Sequence, residues 1–163
     1  MDQLDEYIQE AKRSVFRFEG LQDYSAMDGE DFVRKYLESN QLSFQPAESE
    51  WWKSIKALNQ KGIKTSRVRM VTDPLTDYTK AELAHLKASA DYSAEDIRTI
   101  GEESVKEIAP GLSDFYLIDE GSLFIMRYGS KGKYLGSDLV QGLETKRYSD
   151  IAKELIKSSK PIE

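Results

Sequence analysis

SRVRMVTDPLTDYTKAE, from Ser66 to Glu82, is the stretch from which the fold is read. Its first half alternates: Val68 and Met70 fall on one side, and Arg67, Arg69 and Val71 on the other. That is the period of a strand, and the strand extends over Ile63 to Thr72. Pro74 disfavours helix at Asp73. The chain therefore turns there, and Thr76 or Asp77 can cap the helix that carries Ala81, Leu83, Ala84 and Leu86. A strand entering a proline turn and leaving as a helix is a unit of helix-covered sheets. The bend also gathers Arg67, Arg69, Asp73, Thr76, Asp77, Tyr78 and Glu82, more polar chemistry than any other segment.

Working back toward the N-terminus, Trp51, Trp52, Ile55 and Leu58 give a helix with one apolar stripe, and Gly62 suits the position just past its end. Gln41 to Glu50, with Pro46, reads as irregular. Asp28 reads as an N-cap, with Asp31 in the capping-box place. Phe32, Val33, Tyr36 and Leu37 follow at helical spacing, and Ser39-Asn40 close that helix. Val15 to Phe18 reads as a strand. Leu4, Tyr7, Ile8 and Ala11 predict a helix within residues 3–13.

Toward the C-terminus, Asp96 to Ile100 reads as a short strand and Pro110-Gly111 as a break. Residues 114–140 read as three antiparallel strands joined at Asp119-Glu120-Gly121 and at Gly129 to Gly132. Leu143 to Ser158 is a helix with Ile151, Leu155 and Ile156 inward, and Ser159 to Glu163 is expected to fray. The whole predicts one α+β (or α/β) domain over residues 1–163, core about 14–158. It is a mixed sheet with a three-strand meander near the C-terminus, covered by helices.

The chain has 163 residues, no Cys, and 29 acids against 23 bases, for a net charge of -6. The missing Cys excludes disulfides, thiolate metal sites and Cys nucleophiles. The charge balance argues against direct nucleic-acid binding, which needs a positive surface. No apolar run approaches the roughly 18–20 residues of a membrane span, and the acidic start lacks the pattern of a signal peptide. A cytoplasmic location without membrane contact is expected.

The run from Arg67 to Leu83, R-V-R-M-V-T-D-P-L-T-D-Y-x-x-x-E-L, resembles the signature of a bacterial domain-of-unknown-function family, number 6879. Phe16–Leu21 (F-R-F-E-G-L), the Trp-led helix ending at Gly62, Glu95–Arg98 (E-D-I-R), Asp114–Asp119 (D-F-Y-L-I-D) and Tyr128–Val140 resemble it in the same order. The resemblance covers about residues 14 to 140. It implies a regulatory or ligand-sensing setting, because such domains often accompany helix-turn-helix regulators. It carries over no catalytic residue.

Alternation sends Arg67 and Arg69 to one side of their strand, where two guanidinium forks can hold a carboxylate or phosphate. Asp77, Tyr78 and Glu82 lie on the following helix, whose first N–H groups suit an anion. The five residues form the candidate ligand-binding set. In the structural alternative Asp77 caps the helix, Tyr78 packs, and an arginine pairs with Glu82 or Asp96 to lock the bend.

The single histidine, His85, stands in H-x-K, but the acid that a phospholipase-D-type motif needs would fall at Tyr92, and no second His exists to share the proton. Serine catalysis lacks its base. Asp114, Asp119 and Glu120 offer oxygens to a hard cation, yet turn geometry accounts for them equally. Adjacent helical positions point about 100° apart, so one of Trp51 and Trp52 enters the core while the other can stack a base or anchor a partner; packing of both is the plainer reading. Phe16, Phe18, Tyr116, Phe124 and Tyr128 read as sheet packing.

No cofactor or metal is implied. The reading is a non-catalytic binding or regulatory domain that recognises a protein partner or a small anionic ligand. Two alternatives stay open. One is a metal-dependent phosphoesterase or nuclease-like enzyme using Asp or Glu with Arg. The other is an interaction or inhibitor protein of a mobile element or defence system.

Overall fold

In the computed structural model, which describes residues 2–163, the alternating run forms strand β2 (Lys64–Val71), and the helix after the proline turn is α5 (Asp77–Ser93). Thr76 caps α5 by accepting from the Thr79 N–H. Strand β1 (Ser14–Glu19) lies parallel to β2 on one side, and β3 (Asp96–Gly101) lies parallel to it on the other. β4 (Phe115–Ile118), β5 (Ser122–Tyr128) and β6 (Tyr134–Val140) form the antiparallel meander. β4 joins the meander to β1 by an antiparallel pairing, and β7 (Lys160–Pro161) closes the far edge. The order is β6-β5-β4-β1-β2-β3-β7, so β1 is the seam between a parallel half and an antiparallel half.

Side-chain alternation divides the interior into two layers. Phe16, Phe18, Val68, Phe115, Leu117 and Leu123 face α6 (Glu102–Ile108) and α7 (Leu143–Ser158), and pack on Val105, Ile151 and Leu155. Full burial of each such side chain contributes about 1.5–3 kcal/mol. The opposite face meets α1 (Gln3–Gln9), α4 (Glu50–Gln60) and α5, where Leu4, Ile8, Trp52, Ile55 and Leu86 cover Val15, Ile97 and Tyr116. Two further helices, α2 (Ser25–Asp28) and α3 (Glu30–Ser39), lie beside α5 through Tyr24, Phe32 and Tyr78. No helix is long and apolar enough to cross a membrane.

Three expectations are corrected, and one helix is added. The first helix stops at Gln9 rather than reaching residue 13, because the N–H groups of Lys12, Arg13 and Ser14 donate to the Asp119 carboxylate at 2.7–3.1 Å. Asp28 ends α2, and Gly29, at φ 88°, takes the N-cap position of α3. The tail does not fray over its whole length: Lys160 and Pro161 pair with Thr99 and Arg98. The helix α6 follows β3 directly, although its sequence EESVKEI buries only Val105 fully and shows no apolar stripe.

Candidate functional site

The face of β1 and β2 turned toward α1, α4 and α5 carries charges where a sheet interior ordinarily carries apolar groups. Register sets Arg17 opposite Arg67 and Glu19 opposite Arg69. Buried charges need partners, and each arginine here has a carboxylate beside it, although Arg17 Nε and Arg69 Nη2 make no hydrogen bond. Glu19 Oε1 accepts from Arg67 Nη1 at 2.8 Å, and Glu19 Oε2 lies 3.5 Å from Arg17 Nη2. Arg67 Nε donates to Glu95 at 2.9 Å. Arg69, with no exposed surface, donates Nε to Glu82 and Nη1 to the Met70 carbonyl at 2.9 Å. Burial alone would raise Glu19, but Arg17, Arg67 and Arg69 together hold it down at about 2. Burial, reinforced by the Glu19 charge, pushes Glu82 up to about 7 against the opposing pull of Arg69.

The helices do not close completely over this face. Between the sheet and α1 to α5 lies a cavity of about 560 Å³, within the range of small-molecule sites. Its sheet floor is formed by Arg17, Arg67 and Tyr116, while α4 contributes Trp52 and α5 the wholly buried Ser89. Tyr24, Phe32, Tyr78 and His85, all buried, make one wall, and Tyr128 faces them. Asp2, Met27 and Asp28 stand exposed at the mouth.

Arg17 dominates the floor chemically. Its Nη1 donates to Tyr116 Oη at 3.1 Å and its Nη2 to Tyr128 Oη at 3.0 Å, while its Nε is buried with no partner. A phenol that accepts from arginine still has its own proton to donate. Among the described residues neither hydroxyl has an acceptor of its own, so two O–H groups remain uncommitted beside the cavity, while Arg17 Nε has no accessible surface there. Ser89 Oγ is likewise buried without a partner.

His85 lines the same cavity but is fully engaged. Its Nδ1 pairs with the Ala81 carbonyl at 2.8 Å, and its Nε2 accepts from the Ser43 N–H at 2.8 Å. That pattern fixes the neutral Nδ1–H tautomer, and burial lowers its pKa further. Asp114 accepts from Gly20 N at 2.8 Å and from the Tyr24 hydroxyl, so it braces the turn after β1. Among the described residues no group of three or more His, Cys, Asp or Glu side chains is gathered to hold a metal ion.

Of the five residues picked from sequence, the cavity brings together Arg67, Tyr78 and Glu82. Two are corrected. Arg69 lies behind the lining, locked onto Glu82, and Asp77 sits exposed in the first turn of α5, 3.6 Å from Lys80. Alternation placed both arginines on the right face; their internal carboxylate partners remove them from an open anion fork. Sequence reading missed Arg17, Glu19 and Ser89, and took Tyr116 and Tyr128 for packing alone. The signal was present in Phe16-Arg17-Phe18-Glu19, whose charges alternate as those of β2 do. Trp52 is buried and Trp51 half-buried, and both line the cavity.

A family model described as a domain of unknown function, DUF6879, matches residues 2–163. The chain belongs to that family. No curated protein is similar enough to this chain to count as a match. In this DUF6879 chain the R-V-R segment builds the ionic layer under the cavity, and the segment from Thr76 to Glu82 caps α5 and supplies one wall.

Proposed function

We propose that this DUF6879 chain is a non-catalytic binding domain of regulatory type, which takes a small ligand bearing an anionic or other acceptor group into the cavity above β1. The observation that carries the reading is the unmet hydrogen-bonding capacity of the lining: the Tyr116 and Tyr128 hydroxyl protons, both hydroxyls being held by Arg17. Buried polar groups are satisfied in nearly all folded proteins, and a ligand acceptor placed there would satisfy these. A binding role over catalysis is favoured by the engagement of the two lining groups placed nearest neutral pH. Both His85 nitrogens are engaged, and Glu82 is covered by Arg69 and Tyr78. A cytoplasmic setting suits a chain without Cys.

A protein partner would approach by the same mouth, where Met27 stands 58% exposed. Thermal-shift measurement against a diverse small-molecule library tests the reading. A ligand at a hundred times its Kd stabilises by about 2.7 kcal/mol, and Tyr128→Phe, which removes one floor donor, is expected to reduce the shift. A library that leaves the wild-type transition unmoved defeats the small-ligand form.

A further inference from the structure

The charges around the cavity are met from within the chain. Glu19 lies between Arg17 and Arg67, and Glu95 also accepts from Arg67. Asp28 accepts from Tyr78 Oη, and the positive amino terminus acts on Asp2 and Asp5. The lining holds two guanidiniums, Arg17 and Arg67, against five carboxyl groups, those of Asp2, Asp5, Glu19, Asp28 and Glu82. A bound anion would enter a surplus of its own sign. A cation fares no better at the rings. Arg17 lies over Tyr116 at 5.0 Å, Arg67 over Trp52 at 5.2 Å and Arg69 over Tyr24 at 5.3 Å, so the chain's own guanidiniums already take the cation–π positions at these rings.

What remains unmet is neutral. Tyr116 and Tyr128 accept from the Arg17 guanidinium at 3.1 and 3.0 Å, and each keeps a proton with no acceptor among the described residues. Burial raises both phenols above their usual range, so both stay protonated. Tyr116 is 4% exposed and lines the cavity, so its unmet donor sits where water is scarce. A shared guanidinium makes the two hydroxyls neighbours, and a carbonyl oxygen has two lone pairs with which to accept from them. Rings form much of the remaining wall. Tyr24 meets Tyr128 edge-on at 5.5 Å, Phe32 lies 5.7 Å from Tyr78, and α4 brings in Trp51 and Trp52. Such spacings belong to ring–ring contact, which a flat occupant can extend.

We propose that the ligand is an uncharged, flat, ring-bearing compound whose carbonyl oxygen accepts from Tyr116 and Tyr128. Its class is that of aromatic ketones, lactones and amides. This rests on the reading of the cavity as a binding site and specifies what enters it.

Trp51 and Trp52 are the chain's two tryptophans and both line the cavity, so their indole N–H resonances report on it directly. Titration of the nitrogen-15-labelled full chain with 2-acetylnaphthalene, 2-naphthoate and 2-(aminomethyl)naphthalene tests the proposal. The ketone is expected to bind at least about ten-fold tighter than either charged analogue. Tyr128→Phe is expected to weaken the ketone about five-fold and to leave the amine unchanged. Indole resonances of the unliganded variant at their wild-type positions establish that it folds; if it does not, the wild-type ratios decide. Equal or tighter binding of the naphthoate, or of the amine, overturns the uncharged assignment while the binding-site reading stands. Ketone affinity that a folded Tyr128→Phe leaves unmoved overturns the carbonyl contact. No shift with any of the three overturns the ligand class; the binding-site reading falls only with the silent library.

Discussion

Arg17 and Arg67 stand directly opposite each other on neighbouring parallel strands, and the carboxylate of Glu19 lies between them, 3.5 Å from the first and 2.8 Å from the second. Each guanidinium also lies over a ring, Arg17 over Tyr116 at 5.0 Å and Arg67 over Trp52 at 5.2 Å. Two like charges at one register position are tolerable only because acids and π-faces surround them. The cavity floor therefore depends on a carboxylate that holds both arginines apart.

Glu19→Gln removes that charge and leaves Arg17 and Arg67 facing each other. Breaking a buried ion pair by removing one partner costs about 3–5 kcal/mol. Urea unfolding should show a loss of this order. A loss below about 1 kcal/mol would mean that solvent in the cavity screens the arginines.

Stability should peak in mildly acidic solution. Glu19 is depressed from 4.5 to about 2 on folding, so its contribution is fully present above 4.5 and is lost as pH falls toward 2. Glu82 is raised from 4.5 to about 7. Between those values the folded form binds the extra proton at Glu82, so this group makes stability fall as pH rises through that window, against the opposite and smaller effect of His85, whose pKa folding lowers. Denaturant midpoints measured from pH 3 to pH 8 should show the maximum, and Glu82→Gln should flatten the limb between 4.5 and 7. A wild-type curve that rises steadily to pH 8 contradicts this.

His85 should remain neutral as the Nδ1–H tautomer at pH 6.5, because Ser43 donates to Nε2 and burial disfavours the cation. Nitrogen-15 shifts of the ring read this directly. Protonated Nε2 at that pH would show that the Ser43 hydrogen bond does not form.

Gly132→Ala should loosen the wall that carries Tyr24. Gly132 has φ +72°, and a Cβ there would stand 2.5 Å from the Asp23 carbonyl oxygen and 2.6 Å from Tyr24 Cα. Left-handed backbone costs a non-glycine residue about 1–2 kcal/mol, and the clash adds to it. A lower melting temperature with faster hydrogen exchange over residues 23–28 is the expected result; unchanged exchange there would show that the turn absorbs the methyl group.

Much of this fold is legible locally. The alternation in Lys64–Val71, the proline turn and the cap at Thr76 are properties of short segments, and the meander over 115–140 announces itself by its turns. The position of β1 as the seam is not legible, since pairing with β2 and β4 joins residues roughly 50 and 100 apart. The same limit governs the site. That Arg67 and Arg69 share a face follows from period two. That Arg67 meets Glu19, 48 residues before it, and Glu95, 28 after it, follows only from the assembled sheet. Arg17 was hidden by its phenylalanine neighbours, which are packing residues in fact.

The sheet ends in two unlike ways. One margin is β7, two residues long, with Pro161 unable to donate to a further strand. The other is β6, whose pairing with β5 is irregular between Arg127 and Tyr128 and whose Gly136 takes φ +124°. Short, proline-bearing or kinked margins are poor templates for strand addition. Neither border invites a second molecule to extend the ladder, so concentrated solutions of this chain should resist edge-to-edge aggregation, despite a seven-stranded sheet with two open sides.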